Sequence, residues 1–151
     1  MIKEFQGDFR FLSNFYLVDI KWQGKIWPST EHIYQAMKTK DKELQEKMRL
    51  CPTPGKVKRL GQSMELRPLW DELKFAFMYT IVNEKFKQNA VLRQRLFDTG
   101  EQELQEGNHW GDVYWGVCDG VGSNCLGRIL MEIRTELALT MGKQLEFREV
   151  D

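Results

Sequence analysis

Four stretches carry side chains whose types and spacing could do chemistry. In Thr30-Glu31-His32-Ile33-Tyr34-Gln35-Ala36-Met37-Lys38, the residues Glu31, Gln35 and Lys38 recur at i, i+4 and i+7, which places them on one helical face. Such a stripe is either a solvated face or the polar wall of a site. Glu31 in a first helical turn also suits the helix dipole. His32 fits a hydrogen-bonded structural histidine as well as an acid–base group. In His109-Trp110-Gly111-Asp112-Val113-Tyr114-Trp115-Gly116 a carboxylate sits among three large aromatics. Apolar surroundings raise a carboxylate's pKa, and aromatic rings stack on flat heterocycles. The competing reading is a loop whose rings plug the core, with Asp112 as a turn residue.

The third stretch, Gly120-Val121-Gly122-Ser123-Asn124, leads into a helix, where free backbone amides welcome an anion. No Gly-Lys-Ser/Thr follows, so it is not a Walker loop. No strand precedes it within a βαβ unit, so it is not a dinucleotide fingerprint. A plain helix cap by Ser123 or Asn124 is the alternative. The fourth is the basic cluster Lys56, Lys58 and Arg59, followed by Trp70 behind Pro68, where Trp70 reads as a core plug or a stacking platform. Two carboxylates, several aromatics, a basic segment and an anion-friendly helix start suit a phosphorylated, flat, ring-containing ligand.

The elements that must position these groups follow from periodicity. Val18, Ile20 and Trp22 alternate with Asp19 and Lys21, a half-buried strand. Gln23-Gly24 then turns the chain into Lys25-Ile26-Trp27, which pairs back as a hairpin. Pro28-Ser29-Thr30-Glu31 is a helix-start signal, with Ser29 or Thr30 as cap and a helix running to about Lys40. Further helices are expected over 42–50, 56–62, 69–87, 90–98 and 124–140. The long one carries Leu69, Leu73, Phe77 and Ile81 at i, i+4 as its apolar stripe, widened by Phe75, Met78, Val82 and Phe86. Gly100 is a C-cap. A short strand is expected near 103–106. The fold class is α+β, mostly α, with about four to six helices and a small N-terminal hairpin in one compact domain.

Composition closes off several classes. The 151 residues suit one domain, and 22 basic against 22 acidic residues give no basic surplus for a nucleic-acid partner. Three cysteines, Cys51, Cys118 and Cys125, stand at no metal-like spacing and read as free thiols in a reducing cytoplasm. No signal peptide opens the chain, and no apolar run approaches the ~20 residues of a membrane span. Five Trp and an aromatic share of 12% are the unusual entries in the composition.

Several pieces, taken in order, carry a resemblance. They are Phe11-Leu12-Ser13-Asn14-Phe15, Trp27-Pro28-Ser29-Thr30-Glu31-His32-Ile33-Tyr34-Gln35-Ala36-Met37-Lys38, Trp70, and Lys85-Phe86-Lys87-Gln88-Asn89. Leu96 with Thr99-Gly100, Leu104 with Glu106, Asp112-Val113-Tyr114-Trp115-Gly116, Gly122-Ser123-Asn124-Cys125-Leu126-Gly127 and Leu130-Met131-Glu132-Ile133-Arg134 complete the set. Over roughly residues 8 to 140 the chain resembles the YbiA-like (NADAR) family.

The resemblance implies one such domain over 1–151, with a charged tail from about 142, and N-glycosidase activity. By position, Glu31, Trp70, Asp112 and Trp115 match the family's active-site residues, and Ser13, Asn14, Gln35, Lys38 and Asn124 its motif residues. Glu31 and Asp112 are then the catalytic pair, and Trp70 and Trp115 stack on the heterocycle. Lys38, Lys56 and the helix start at Asn124 hold phosphate. No metal or cofactor is implied. Implied substrates are phosphoribosylamino-pyrimidine intermediates of riboflavin synthesis, or ADP-ribose on a nucleic-acid base, nucleic acid entering only as a modified substrate. No membrane partner is implied. A non-catalytic ADP-ribose or nucleotide binding module is a further reading, against which two carboxylates count, since they repel an anionic ligand. Val117-Cys118-Asp119 replaces the small polar or glycine stretch of the family and bears on the leaving group.

Overall fold

Gln23 and Gly24 take φ of 50° and 78°, the left-handed pair that a two-residue hairpin turn requires. They join β1 (Ile20–Trp22) to β2 (Lys25–Trp27), antiparallel, with Ile20 opposite Trp27 and Trp22 opposite Lys25. This hairpin, expected from its alternation, lies in one of two compact units in the computed structural model, which describes residues 1–150 and side chains as far as Gly142. One unit is Ser13–Gln88; the other is Met1–Leu12 with the chain from Asn89.

In the Ser13–Gln88 unit, α1 (Thr30–Met37) begins where expected. Ser29 is its N-cap, and the Ser29 hydroxyl accepts the His32 amide at 3.2 Å. The His32 ring shares a 2.6 Å hydrogen bond with the same hydroxyl and donates from Nε2 to the Cys51 carbonyl at 3.0 Å. His32 is thus a satisfied structural histidine, and burial holds its pKa below the ordinary value. All eight residues of α1 are buried, because α2 (Lys42–Arg49), α3 (Pro54–Gln62) and α4 (Trp70–Gln88) all pack against it. Asp41 caps α2 with its carboxylate and Thr53 caps α3 with its hydroxyl, and Pro54 sits in the first turn of α3, where its missing N–H costs nothing. Gln88 at the end of α4 accepts from the Lys21 amide at 2.7 Å and donates to the Lys21 carbonyl at 2.8 Å, finishing the free side of β1.

The expected stripe of α4 is corrected at its start. Met78, Ile81, Val82 and Phe86 are buried as expected, joined by Trp70 and Lys85, while Leu69 and Leu73 are 65% and 37% exposed. Leu69 lies just outside the helix with φ of 62°, so a phase counted from it is rotated off the true face. The buried lysine is the surprise: Lys85 is 1% exposed and donates from Nζ to the Ser13 carbonyl at 3.0 Å.

In the other unit a 3-10 helix spans Gly7–Leu12 and α5 spans Ala90–Asp98. Arg95 joins them, donating to the Asp8 carbonyl at 2.7 Å with its guanidinium 4.2 Å from the Phe11 ring centroid. Gly100, with φ of 64°, ends α5 as expected. The strand expected near 103–106 is reduced to a bridge between Leu104 and Ile2. The pairing falls just beyond, between β3 (Gly107–Asn108) and β4 (Val117–Cys118), which are parallel. Helix α6 spans Cys125–Val150, starting where expected and running past the expected end at 140, and buries Leu126, Leu130 and Ile133. The charged tail expected from about 142 lies outside the described side chains. The architecture is α+β, mostly α, and no helix of the described residues is long and apolar enough to cross a membrane.

Burial pushes the Lys85 pKa down to about 7, against about 10.4 for an unfolded lysine. Between those values the unfolded chain binds the extra proton, so folding stability rises with pH across that window and is lowest below it. The urea midpoint of the native protein should therefore climb between pH 7 and 10 relative to Lys85→Met. Parallel pH profiles for the two proteins would count against a buried, depressed amine.

Candidate active site

Glu31 is 6% exposed and Gln35 3%. One helical turn apart, they face each other, and Gln35 donates from Nε2 to Glu31 Oε1 at 2.7 Å. The stripe read from spacing is therefore a buried polar cluster and not a solvated face. A buried carboxylate is tolerated only with donors and positive charge nearby. The backbone amide of Glu31 donates to the Asn14 carbonyl at 3.1 Å, so the 13–16 loop holds the residue from its N-terminal side. Gly61 of α3 completes the arrangement: a Cβ there would collide with the Gln35 amide oxygen. That oxygen is one of the few buried polar atoms without a hydrogen-bond partner among the described residues.

Positive charge comes from three lysines. Lys38, half-buried, has its pKa lowered by burial first; the charge of Glu31 pulls it back up, and Lys58 and Lys74 push it further down. Lys38 thus shares an electrostatic neighbourhood with the Glu31 carboxylate and with the ammonium groups of Lys58 and Lys74. Aromatic rings line it, with Lys38 Nζ 5.4 Å from the Tyr34 centroid and Lys58 Nζ 5.7 Å from that of Phe15. Trp70, 5% exposed, packs against Tyr34 at 5.4 Å and Phe77 at 5.7 Å between centroids. It is a wall of the cluster more than an open platform. Arg67 donates its backbone amide to the Lys38 carbonyl at 2.6 Å and sets its guanidinium 4.9 Å from the Phe77 centroid, fixing the end of α1.

Ser13, Asn14, Glu31, Gln35, Lys38 and Trp70 all fall in the Ser13–Gln88 unit, and hydrogen bonds, electrostatics and ring contacts tie most of them together. Lys56 does not join them. It is exposed, and Lys58 faces Lys38 in its place. The buried stripe of α3 is Pro54, Val57 and Gly61. At about 100° per residue Lys58 borders that stripe and Lys56 points away from it. Lys58, Lys74, Tyr34 and Gly61 were missed as site residues. The α3 stripe held the signal for Lys58, whereas Lys74 and Gly61 become visible only once the helices are packed.

Asp112, Trp115 and Asn124 lie in the other unit, inside one braced loop. Asp112 Oδ1 accepts from the Tyr114 amide at 3.1 Å and the Trp115 amide at 2.9 Å. Asn108 clamps the Asp112 backbone, accepting its amide at 3.0 Å and donating to its carbonyl at 2.8 Å. The Tyr114 and Trp115 rings meet edge to face at 4.7 Å. Asn124, expected at an anion-binding helix start, is corrected. Its side chain accepts from the Glu106 amide at 2.9 Å and donates to the Leu104 carbonyl at 2.9 Å. The amides of Ser123, Asn124, Cys125 and Leu126 donate to the carbonyls of Val113, Gly116, Tyr114 and Trp115. Those helix-start donors are occupied by the Asp112 loop, so no anion nest remains there.

Comparison with known proteins agrees with the resemblance read from the motifs. The NADAR domain family model matches residues 2–138. The chain is 40% identical over 136 residues to the N-glycosidase YbiA of Escherichia coli, covering 88% of this chain and 82% of that protein. It is 44% identical over 130 residues to a riboflavin biosynthesis protein of Vibrio vulnificus, covering 84% of this chain but 35% of that longer relative. The NMR structure of the Escherichia coli protein YbiA aligns with a TM-score of 0.83 at 35% identity, over 93% of this chain and 89% of that one.

The contact between Gly61 and Gln35 gives a direct test. Gly61→Ala should lower stability by roughly 1–3 kcal/mol, because the methyl group overpacks against the Gln35 amide. In a Gln35→Ala background the same substitution should be neutral, or stabilising by up to about 1 kcal/mol from helix propensity. Chemical denaturation of the four proteins reads both, and equal effects in the two backgrounds would remove the contact from the argument.

Proposed function

The chain belongs to the NADAR domain family and is an N-glycosidase, and we propose that it hydrolyses the bond between C1 of a phosphoribosyl group and the nitrogen of an amine or flat heterocycle. The observation that carries this substrate class is the Glu31 cluster. A buried carboxylate held by Gln35 stands among Lys38, Lys58 and Lys74 and the rings of Tyr34, Phe15 and Trp70. Glycosyl transfer passes through an oxocarbenium-like state. Such a substrate needs negative charge at the sugar carbon, positive charge at the phosphate and apolar surface for the ring. The name of the Vibrio relative supports a phosphoribosylamino-pyrimidine of riboflavin synthesis as the substrate. A cytoplasmic metabolite is the setting this reading takes.

In the proposed reaction Glu31 stabilises the cationic sugar and accepts a proton from the attacking water. The C1–N bond breaks with its electron pair going to nitrogen, the water oxygen bonds to C1, the nitrogen takes up one proton for the one that water gives up, and the products are ribose 5-phosphate and the free amine. The lysine cluster neutralises the phosphate in the ground state and the transition state alike, so its main effect is on binding. Asp112 is the second carboxylate of the reading, assigned to the departing nitrogen. With Oδ1 taken by two backbone amides, Oδ2 is the oxygen left for that role.

Release of ribose 5-phosphate from a phosphoribosylamino-pyrimidine tests the assignment. Glu31→Gln should fold and lose about 10²–10⁴-fold in kcat. Unchanged turnover removes Glu31 from the chemistry. Lys58→Ala should raise KM about 10-fold or more at nearly constant kcat, the value of a charge-assisted hydrogen bond of about 1.5–3 kcal/mol. Asp112→Asn preserves the Oδ1 acceptor and hence the loop, so a fall in kcat at native stability reports chemistry and not capping. If ADP-ribosylated guanine in DNA is turned over and the pyrimidine is not, the substrate class changes while the role of Glu31 stands.

A further inference from the structure

Lys85 belongs to no part of the mechanism above, yet its whole side chain is inside the protein. It is 1% exposed, its amine lies 5.7 Å from the Tyr16 ring centroid and 5.2 Å from that of Phe86, and its Nζ donates to the Ser13 carbonyl at 3.0 Å. Burying an amine costs stability that a methionine of similar length would not. Features that lower stability yet persist cluster where function needs a fixed geometry.

The carbonyl that Lys85 holds begins the loop that ends on Glu31. Ser13 also accepts the Tyr16 amide on the same carbonyl at 3.2 Å and the Phe15 amide on its hydroxyl at 3.1 Å, so the loop closes on itself around Ser13. The next residue, Asn14, donates from Nδ2 to the Met78 sulfur at 3.4 Å and accepts the Glu31 amide on its carbonyl at 3.1 Å. Phe15 presents its ring to Lys58. A single turn of chain thus joins the buried face of α4 to the first turn of α1 and to the lysine cluster. Lys85 and Met78 are α4 residues that hold it.

We propose that Lys85 is a positioning residue for the N-glycosidase reaction: through the Ser13 and Asn14 backbone it fixes the carboxylate of Glu31. The inference rests on the catalytic reading of Glu31. Lys85 does not touch the substrate, and its part is to keep the 13–16 loop, and with it the N-terminus of α1, in one place. A displacement of about 1 Å at a reacting group can reduce turnover about 100-fold, so a tether on the loop is felt in kcat while the phosphate contacts, and hence KM, are largely kept.

The test is a double-mutant cycle on ribose 5-phosphate release with Lys85→Met and Glu31→Gln. Lys85→Met should lower kcat about 10- to 100-fold, leave KM near the native value, and hold a urea midpoint at pH 7 no lower than that of the native protein. In the Glu31→Gln background it should have no further effect on kcat, since the group it positions is gone. Hydrogen exchange at the Glu31 amide should speed up in Lys85→Met while the amides of Ile81 and Val82 keep native protection. Native kcat in Lys85→Met, the same loss in both backgrounds, or a fall in kcat that tracks a fall in urea midpoint would each overturn the proposal. Should Lys85→Met not fold, Lys85→Leu, which likewise lacks a donor N–H, is put through the same cycle with the same outcomes. Native turnover in Glu31→Gln would instead overturn the reading of Glu31, a separate result visible before Lys85 is touched.

Discussion

Glu31 sits in a helix that has no solvent face. The eight residues of α1 are all buried, and a carboxylate in that position loses its hydration with nothing given back unless the protein supplies donors and positive charge. Much of the Ser13–Gln88 unit answers that one requirement. The Gln35 amide comes from the next turn of the same helix, and Gly61 of α3 makes room for it. Lys38 ends the helix within range of the carboxylate, and its own burial is offset in part by that charge. The three helices that cover α1 hide the carboxylate and also bring the remaining lysines, since Lys58 rides on α3 and Lys74 on α4. The burial that makes the charge costly is the burial that assembles its partners.

Net charge and local charge then part company. The chain carries 22 basic and 22 acidic residues, a balance that does not describe how the charges are distributed. At Lys38 the local charges are mixed, with the Glu31 carboxylate and the ammonium groups of Lys58 and Lys74 all acting on it. Lys74 has a further anionic neighbour in Asp71 at 3.4 Å, but Asp71 is 88% exposed and a solvent-screened pair of that kind is weak.

What could be read from the sequence follows a physical line. Signals set by near neighbours were legible: the Gln23-Gly24 turn, the Ser29 cap, the end of α5 at Gly100, the α1 stripe and the resemblance that rests on such motifs. Signals set by packing phase were less so. Leu69 was counted into the stripe of α4 although it lies outside the helix with a left-handed backbone, and the true face carries a lysine, which no apolar pattern announces. Lys56 was chosen over Lys58 because composition shows a basic cluster but not which of its members borders the buried stripe. Gly61 looked like an ordinary helical glycine until Gln35 was placed against it.

The Gly-aromatic loop shows the same limit from the other side. Its residue types suit a ligand site, and its hydrogen bonds show that much of its polarity is turned inward. Asp112 holds the amides of Tyr114 and Trp115, Asn108 holds Asp112, and the carbonyls of that loop hold the first amides of α6. At Gly116, a Cβ would run into Glu106 on both its carboxylate and its carbonyl, so the segment closes only around a glycine. Asn124, with φ of 52° and both ends of its amide bonded to the 104–106 segment, is the pin that keeps loop and helix in register. A loop braced this heavily gives up flexibility and exposes few free donors. What it gains is a carboxylate whose orientation is set by backbone amides on one oxygen.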